Sequence, residues 1–229
     1  MQNNFVRLEA LIGGEAVTVL KNATVAIVGL GGVGSFAAEA IVRCGVGTLL
    51  LCDGDRVDPS NINRQLPADE HTIGEFKADV LKARYSAINS SAQIAAYCQF
   101  WSADNDCLDI GNHRIDYVID AIDRLSAKAA LIKKCFDHNV KIISSMGAGN
   151  RLDPTAFRAD DIYRTYNDPL AKKLRKMLRE QNVSRLKVVY SPETRQRINP
   201  DVLGSAVFAT GACGLLIARE VIMELSNIQ

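Results

Sequence analysis

Nowhere does this chain of 229 residues carry Gly-x-x-x-x-Gly-Lys-Ser/Thr, which excludes a P-loop NTPase. None of its six cysteines (Cys44, Cys52, Cys98, Cys107, Cys135 and Cys213) stands in a Cys-x-x-Cys pair, so that zinc-ligand spacing is missing. Most of the six sit in apolar runs and read as buried core thiols. The histidines, His71, His113 and His138, are scattered without ligand spacing and read as incidental. Met1-Gln-Asn-Asn lacks the basic start and apolar core of a secretory signal. With no signal and no paired cysteines, a reducing, cytoplasmic setting is expected. The apolar stretch from Val202 to Ala218 is rich in Gly and Ala and falls short of the ~20 residues of a membrane span. A helix packed in the core or at a subunit contact is expected there, with no stable membrane association. No internal repeat or low-complexity run appears, and the net charge is only +1.

What the chain does have begins at Val25-Ala-Ile-Val-Gly29-Leu-Gly31-Gly32-Val-Gly34, an apolar run ending in Gly-x-Gly-x-x-Gly. The Ala-rich segment Ser35 to Arg43 follows, so the order reads as strand, tight turn, helix. The glycines let backbone come close to a phosphate, and the helix N-terminus offers N–H groups and a positive dipole end. A second apolar run, Thr48 to Cys52, ends in Asp53, where a ribose-binding acid is expected. A glycine turn that merely packs helix on strand is the plainer alternative. The strand before, the helix after and the acid beyond favour a nucleotide site at Gly29, Gly31, Gly32, Gly34 and Asp53.

A nicotinamide enzyme would move on to its next strand–helix unit. Here a long polar loop follows, Asp53-Gly-Asp55-Arg-Val-Asp-Pro-Ser-Asn61-Ile-Asn63-Arg64-Gln65, and then Gly74-Glu-Phe-Lys77-Ala opens an amphipathic helix. Asp55, Asn61, Arg64 and Lys77 are thus delivered beside the glycine loop. Arg supplies a planar fork and Lys a point charge, and both suit a triphosphate. Either cation alone reads as a solvated charge; together on this loop they read as phosphate ligands. Farther on, Asp116-Tyr-Val-Ile-Asp120-Ala-Ile-Asp123-Arg124 is another buried strand ending in acid. Asp123 stands where ligands bind in an open α/β sheet and suits Mg²⁺, which takes one or two carboxylates plus phosphate oxygens. Asp120 belongs either to that site or to a cap on the following helix.

Taken together, the glycine loop, Asp53, Asn61-Ile-Asn-Arg64-Gln65, Lys77 and Asp120-x-x-Asp123 resemble the ubiquitin-activating-type adenylation superfamily, which includes the ThiF and MoeB adenylyltransferases. The resemblance implies an ATP site in which Asp53 holds the ribose, Asn61, Arg64 and Lys77 hold phosphates, and Asp123 sits by Mg²⁺. It further implies that an N-terminal arginine, here Arg7, reaches into the partner subunit's site, which would make a homodimer with composite active sites. The missing Cys-x-x-Cys and the absence of cysteine between Cys135 and Cys213 argue against a structural zinc and a thioester-forming nucleophile.

The second half narrows the resemblance. Met146-Gly147-Ala-Gly149-Asn150-Arg151-Leu-Asp153-Pro154-Thr155, then Asn167-Asp168-Pro169-Leu170, and later Lys187-Val-Val-Tyr190-Ser191 are similar to the tRNA threonylcarbamoyladenosine dehydratase branch. That implies ATP-dependent ring closure of a threonylcarbamoyl group through adenylation of its carboxylate, with no enzyme nucleophile. The alternative is an adenylyltransferase for the C-terminal glycine of a ubiquitin-like sulfur carrier. A non-catalytic nucleotide-binding module fits least, because Asp53, Asn61, Arg64, Lys77 and Asp123 are all present.

Charge distribution bears on a tRNA partner. Between Arg158 and Arg197 eleven Lys or Arg face five Asp or Glu, on an otherwise acidic chain. Phosphate positioning needs such a segment, and Lys172, Lys173, Arg175, Lys176 and Arg179 are its candidates. An ordinary solvated face on an amphipathic helix reads equally well. One domain over residues 1–229 is expected, with residues 1–20 as a dimer and arginine-finger segment and 150–200 as a loop-and-helix excursion. Strands are predicted near 24–28, 48–52, 93–98, 116–120 and 140–144, and helices near 33–44, 75–89, 125–138, 170–181 and 206–225. This alternation gives a Rossmann-like, mostly parallel α/β sheet with helices on both faces.

Overall fold

Alternation of strand and helix produces the expected α/β sheet. The computed structural model describes residues 4–196, 198–199 and 201–228. Arg197, which ends the basic segment, and residues 1–3 of the N-terminal segment lie outside the described residues. Two helices, α1 (Val6–Ile12) and α2 (Gly14–Lys21), precede β1 (Thr24–Val28). There follow α3 (Gly34–Arg43), β2 (Thr48–Cys52), α4 (Lys77–Ile88), β3 (Gln93–Tyr97), β4 (Tyr117–Asp120) and α5 (Leu125–Asp137). The chain continues through β5 (Ile142–Ser145), β6 (Arg158–Asp161), α6 (Pro169–Glu180), β7 (Lys187–Tyr190) and α7 (Val207–Leu225). The seven strands order as β3-β2-β1-β4-β5-β7-β6, all parallel except the β6–β7 pair.

Strands buried on both faces read as continuous apolar runs, and β1 shows why. Val25 and Ile27 enter a core with Leu20 of α2, Ala37 and Ile41 of α3, Leu81 of α4 and Ile217 of α7. Ala26 and Val28 point the other way, into a core with Leu131 and Cys135 of α5. A third cluster seats Leu174 and Leu178 of α6 against Ala129 and Ile132 of α5. From β1 the chain winds outward through β2 and β3, then returns to the other side of β1 at β4. Next to that reversal the connections leave for opposite faces and open a crevice at the carboxyl ends of the strands, where open α/β sheets bind ligands.

Two expectations need correction. The excursion over 150–200 contributes two strands: β7 pairs parallel to β5, and β6 closes the edge antiparallel to it. Both are four residues long, and β6 reads Arg-Ala-Asp-Asp, the polar composition that protects a sheet edge. Of the six cysteines only Cys52, Cys135 and Cys213 are buried; Cys44, Cys98 and Cys107 are half-buried. Among the described residues, no helix is long and apolar enough to cross a membrane.

Candidate active site

A cavity of about 570 Å³ opens at the carboxyl ends of β1, β2, β4 and β5. The glycine loop forms one wall. Gly29 holds φ +90°, and a Cβ there would stand 2.6 Å from the Ala121 carbonyl oxygen after β4. Gly34 opens α3 so close to the loop that a Cβ would meet the Gly29 carbonyl oxygen at 1.8 Å. These contacts fold the loop tightly over the β1–β4 junction. No side chain caps α3; of its first-turn amides that of Ser35 donates to the Gly31 carbonyl at 3.0 Å.

Asp53, at the end of β2, is anchored in the wall. Its Oδ2 accepts from the Leu30 N–H at 2.6 Å and its Oδ1 from the Asp55 N–H at 2.7 Å. Burial pushes its carboxyl up, while those two amides and nearby Lys77 pull it down. Each carboxylate oxygen keeps acceptor capacity beyond one amide, so the group can still take a ribose diol. Lys77 is the first residue of α4. Its Nζ lies 3.0 Å from Asp55 Oδ2, and its N–H donates to the Asp55 carbonyl at 3.1 Å. The lysine side chain is 6% exposed against 54% for the aspartate, so a nearly buried cation leans on a solvated anion. That pairing is weak enough for a phosphate to compete with it. Arg64 lines the same cavity and donates to the Ser60 carbonyl at 2.7 Å and Asn63 Oδ1 at 2.8 Å.

Asn61 and Asp120 stand elsewhere. Asn61 is buried outside the cavity wall and completes a capping box with Asp58, its Oδ1 accepting from the Asp58 N–H at 3.2 Å. It shapes the turn that presents Arg64, whose N–H donates to the Asn61 carbonyl at 3.0 Å. Asp120 is fully buried beneath the site, its Oδ2 taken by Lys128 and Ser144 and its Oδ1 by the Ile122 N–H. It does not cap α5, whose N-cap is Arg124. Asp123 is exposed and lines the cavity. Among the described residues no three His, Cys, Asp or Glu gather into a metal cluster. Asp123 shares the cavity with Asp53 and Asp55, and Mg²⁺ takes one or two carboxylates together with phosphate oxygens and water.

The basic stretch divides. Arg175 donates to the carbonyls of Ile162 at 3.1 Å and Thr165 at 2.9 Å and also bonds the Thr165 hydroxyl, which spends it on the fold. Lys172, Lys173, Lys176 and Arg179 stay exposed, with the Arg179 guanidinium 5.4 Å from the Tyr163 ring centre. Lys173 also lines the cavity, which its place in a basic run did not reveal. Arg7 is exposed on α1 and outside the cavity wall of its own chain.

Other wall residues escaped the sequence. Gly147 and Gly149 come from a loop legible only as a family element, Arg195 is one charge among eleven in the basic segment, and Thr210 carries no signal. Phe100 and Arg124 flank the mouth with the guanidinium 4.8 Å from the ring centre, a surface suited to a flat base.

The pattern of the ThiF family matches residues 5–229. A tRNA threonylcarbamoyladenosine dehydratase from Bacillus subtilis (strain 168) is 40% identical, covering 98% of this chain and 95% of its own length. The Escherichia coli (strain K12) protein of that name is 39% identical over 74% of this chain, and the match spans 63% of the relative. The crystal structure of E. coli tRNA N6-threonylcarbamoyladenosine dehydratase, TcdA, in complex with ATP overlays with a TM-score of 0.91 at 32% identity. That overlay covers 98% of this chain and 94% of the other.

Proposed function

Because this chain belongs to the ThiF family, we propose that it uses ATP to close a ring in the threonylcarbamoyl group of a modified tRNA adenosine, with net loss of one water. The observation that carries this is the full-length likeness to dehydratases of that substrate. In support, one cavity gathers the glycine loop, Asp53, Arg64, Lys77 and Asp123.

The chemistry follows from what the substrate lacks. A free carboxylate has no leaving group, so a carboxylate oxygen attacks the α-phosphorus of ATP and pyrophosphate departs. The product is an acyl adenylate. The substrate's own ureido group then attacks the activated carbonyl, loses a proton and expels AMP, which carries away the carboxylate oxygen. Nucleophile and electrophile share one side chain, so holding them together supplies much of the rate and no enzyme nucleophile is needed.

In this scheme the Gly29–Gly34 loop and the α3 N-terminus cradle the phosphates, and Asp53 takes the ribose hydroxyls. Arg64 and Lys77 neutralise charge that develops on the phosphates. Asp123 would hold Mg²⁺, which screens the phosphate oxygens. Arg7 reaches the site of a second copy, making a homodimer with composite sites. Lys172, Lys173, Lys176 and Arg179 meet the tRNA backbone, in the cytoplasm where modified tRNA resides.

The test is to incubate the chain with ATP, Mg²⁺ and threonylcarbamoylated tRNA, digest mildly and weigh the modified nucleoside. ATP-dependent loss of one water is expected. An unchanged mass, with pyrophosphate exchange only on adding a Gly-Gly-ending carrier protein, would overturn the assignment.

A further inference from the structure

Two arginines, Arg151 and Arg195, meet at Gly147 beside the carboxylate of Asp168. Asp168 is the N-cap of α6, and its Oδ1 accepts from the N–H groups of Leu170 at 2.9 Å and Ala171 at 3.0 Å. Its Oδ2 accepts from the Gly147 N–H at 3.3 Å and lies 3.6 Å from Nη2 of the wholly buried Arg151. Arg195 approaches from the cavity side, with Nη2 only 2.6 Å from where a Cβ on Gly147 would stand. Glu193, the other nearby acid, is spent on the backbone: its carboxylate accepts from the Leu152 and Asp153 N–H groups, each at 3.1 Å.

Among the described residues, three guanidinium nitrogens here are buried and without a hydrogen-bond partner: Nε and Nη1 of Arg151 and Nε of Arg195. Unsatisfied donors on buried cations are costly and each calls for an explanation, an unseen ion or water among them; of the two arginines it is Arg195 that lines the cavity, where an anion can meet it. Burial lowers the Arg151 pKa and the nearby Arg195 charge lowers it further, against the pull of Asp168 and Glu193. The arrangement is also fixed. The Gln196 N–H donates to the Asn150 carbonyl at 3.0 Å, and the Asn150 N–H to the Gly204 carbonyl at 2.7 Å. The loop carrying Arg195 is thereby clipped to the loop carrying Gly147.

We propose that Arg195, backed by Arg151 and Asp168, receives the carboxylate that the enzyme activates and sets one of its oxygens toward the nucleotide. This rests on the cyclase function proposed above. The reaction brings two anions to the cavity, a triphosphate and a carboxylate. Phosphate ligands already lie on the β1 and β2 side, in the glycine loop, Arg64 and Lys77. Arg195 stands on the β5 and α6 side with Gly147 and Lys173. A planar fork holds a planar carboxylate in two parallel hydrogen bonds and offsets its repulsion from the α-phosphate. Arg151 and Asp168 are positioning residues that fix where the fork stands.

Binding to two anticodon stem-loop RNAs tests this, one bearing the threonylcarbamoyl acid and one its methyl ester, both with a saturating non-hydrolysable ATP analogue. The wild-type chain is expected to prefer the acid by about 10- to 100-fold, the span of a charge-assisted hydrogen-bond pair. Arg195→Gln is expected to bind acid and ester alike while holding the analogue alone as tightly as wild type. Arg195→Lys, which keeps charge but loses the fork, is expected to fall between. A preference that survives Arg195→Gln would overturn the assignment. So would weakened analogue binding without RNA, which would make Arg195 a phosphate ligand. If the wild type also binds a third stem-loop, with unmodified adenosine at that position, as tightly as the acid, the substrate itself is misassigned and this inference falls with it.

Discussion

Lys128 Nζ lies 2.9 Å from Asp120 Oδ2 with both side chains wholly buried beneath the cavity floor. The ammonium also donates to Ser144 Oγ and the Ser145 carbonyl, each at 3.1 Å, so all three of its protons are placed. The pair ties the end of β4 to β5 and to the first turns of α5. Removing one partner leaves the other charge buried alone. Lys128→Met is expected to cost about 3–5 kcal/mol in urea unfolding. Adding Asp120→Asn should recover most of that loss, because the neutral amide still accepts from Ile122. A neutral Lys128→Met would mean that Asp120 is free to serve a ligand.

Two loop glycines separate folding from binding. A Cβ at Gly34 runs into the Gly29 carbonyl, whereas one at Gly31 meets nothing closer than Gln65 Nε2 at 3.7 Å. Gly34→Ala should therefore unfold the loop and lower the thermal midpoint. Gly31→Ala should change stability by no more than about 0.5 kcal/mol, the range of surface changes. It should nonetheless weaken ATP at least about tenfold, because its methyl takes the space of a phosphate approaching the backbone. Equal stability and equal ATP affinity in Gly31→Ala would move the phosphates elsewhere.

If Arg7 acts across a dimer, two dead variants will repair each other. Arg7→Ala and Lys77→Ala, each inactive as a homodimer, should regain activity when mixed and reassociated, since one of the two sites then has both residues. Turnover should approach about a quarter of wild type at equal mixing, from random association of protomers. No recovery, with mixed dimers confirmed by mass spectrometry, would place Arg7 in its own chain's site or outside catalysis.

The Cys52 and Cys107 sulfurs lie 3.3 Å apart, and Cys52 lines the cavity. The Cys52 hydrogen bond lowers the Cys107 thiol to about 7, against the upward push of burial. The shift is downward, so the thiolate dominates above that pH. Alkylation of the folded protein by iodoacetamide should be half-maximal near pH 7 and map to Cys107. Cys98 is held up at about 11 by burial and by Asp79 and should lag behind. Cys52→Ala should return the Cys107 profile toward that of a free thiol. A wild-type profile already centred near pH 9 would refute the pairing.

Physics explains which parts of the molecule the sequence exposes. The β1–α3 unit is legible because a run buried on both faces, a turn that excludes Cβ atoms and an Ala-rich helix each leave a local mark. Lys77 is legible as well, since the first residue of a helix beside the glycine loop has few other destinations. Asp120 is not, because its fate depends on Lys128 one turn into the next helix and on Ser144 in a neighbouring strand. β6 and β7 escape because four-residue strands are too short to show a period. Arg195 escapes for a related reason: only the clip between Asn150, Gln196 and Gly204 brings it to Gly147.

Attack of the substrate's own carboxylate on ATP, with one carboxylate oxygen leaving on AMP, is the step on which the proposed function stands. It is tested by labelling that carboxylate with heavy oxygen in the modified tRNA and weighing the AMP after one turnover. AMP carrying one heavy oxygen, released with pyrophosphate in step with ring closure, is the predicted result. Unlabelled AMP, or ADP and phosphate in place of AMP and pyrophosphate, would contradict it.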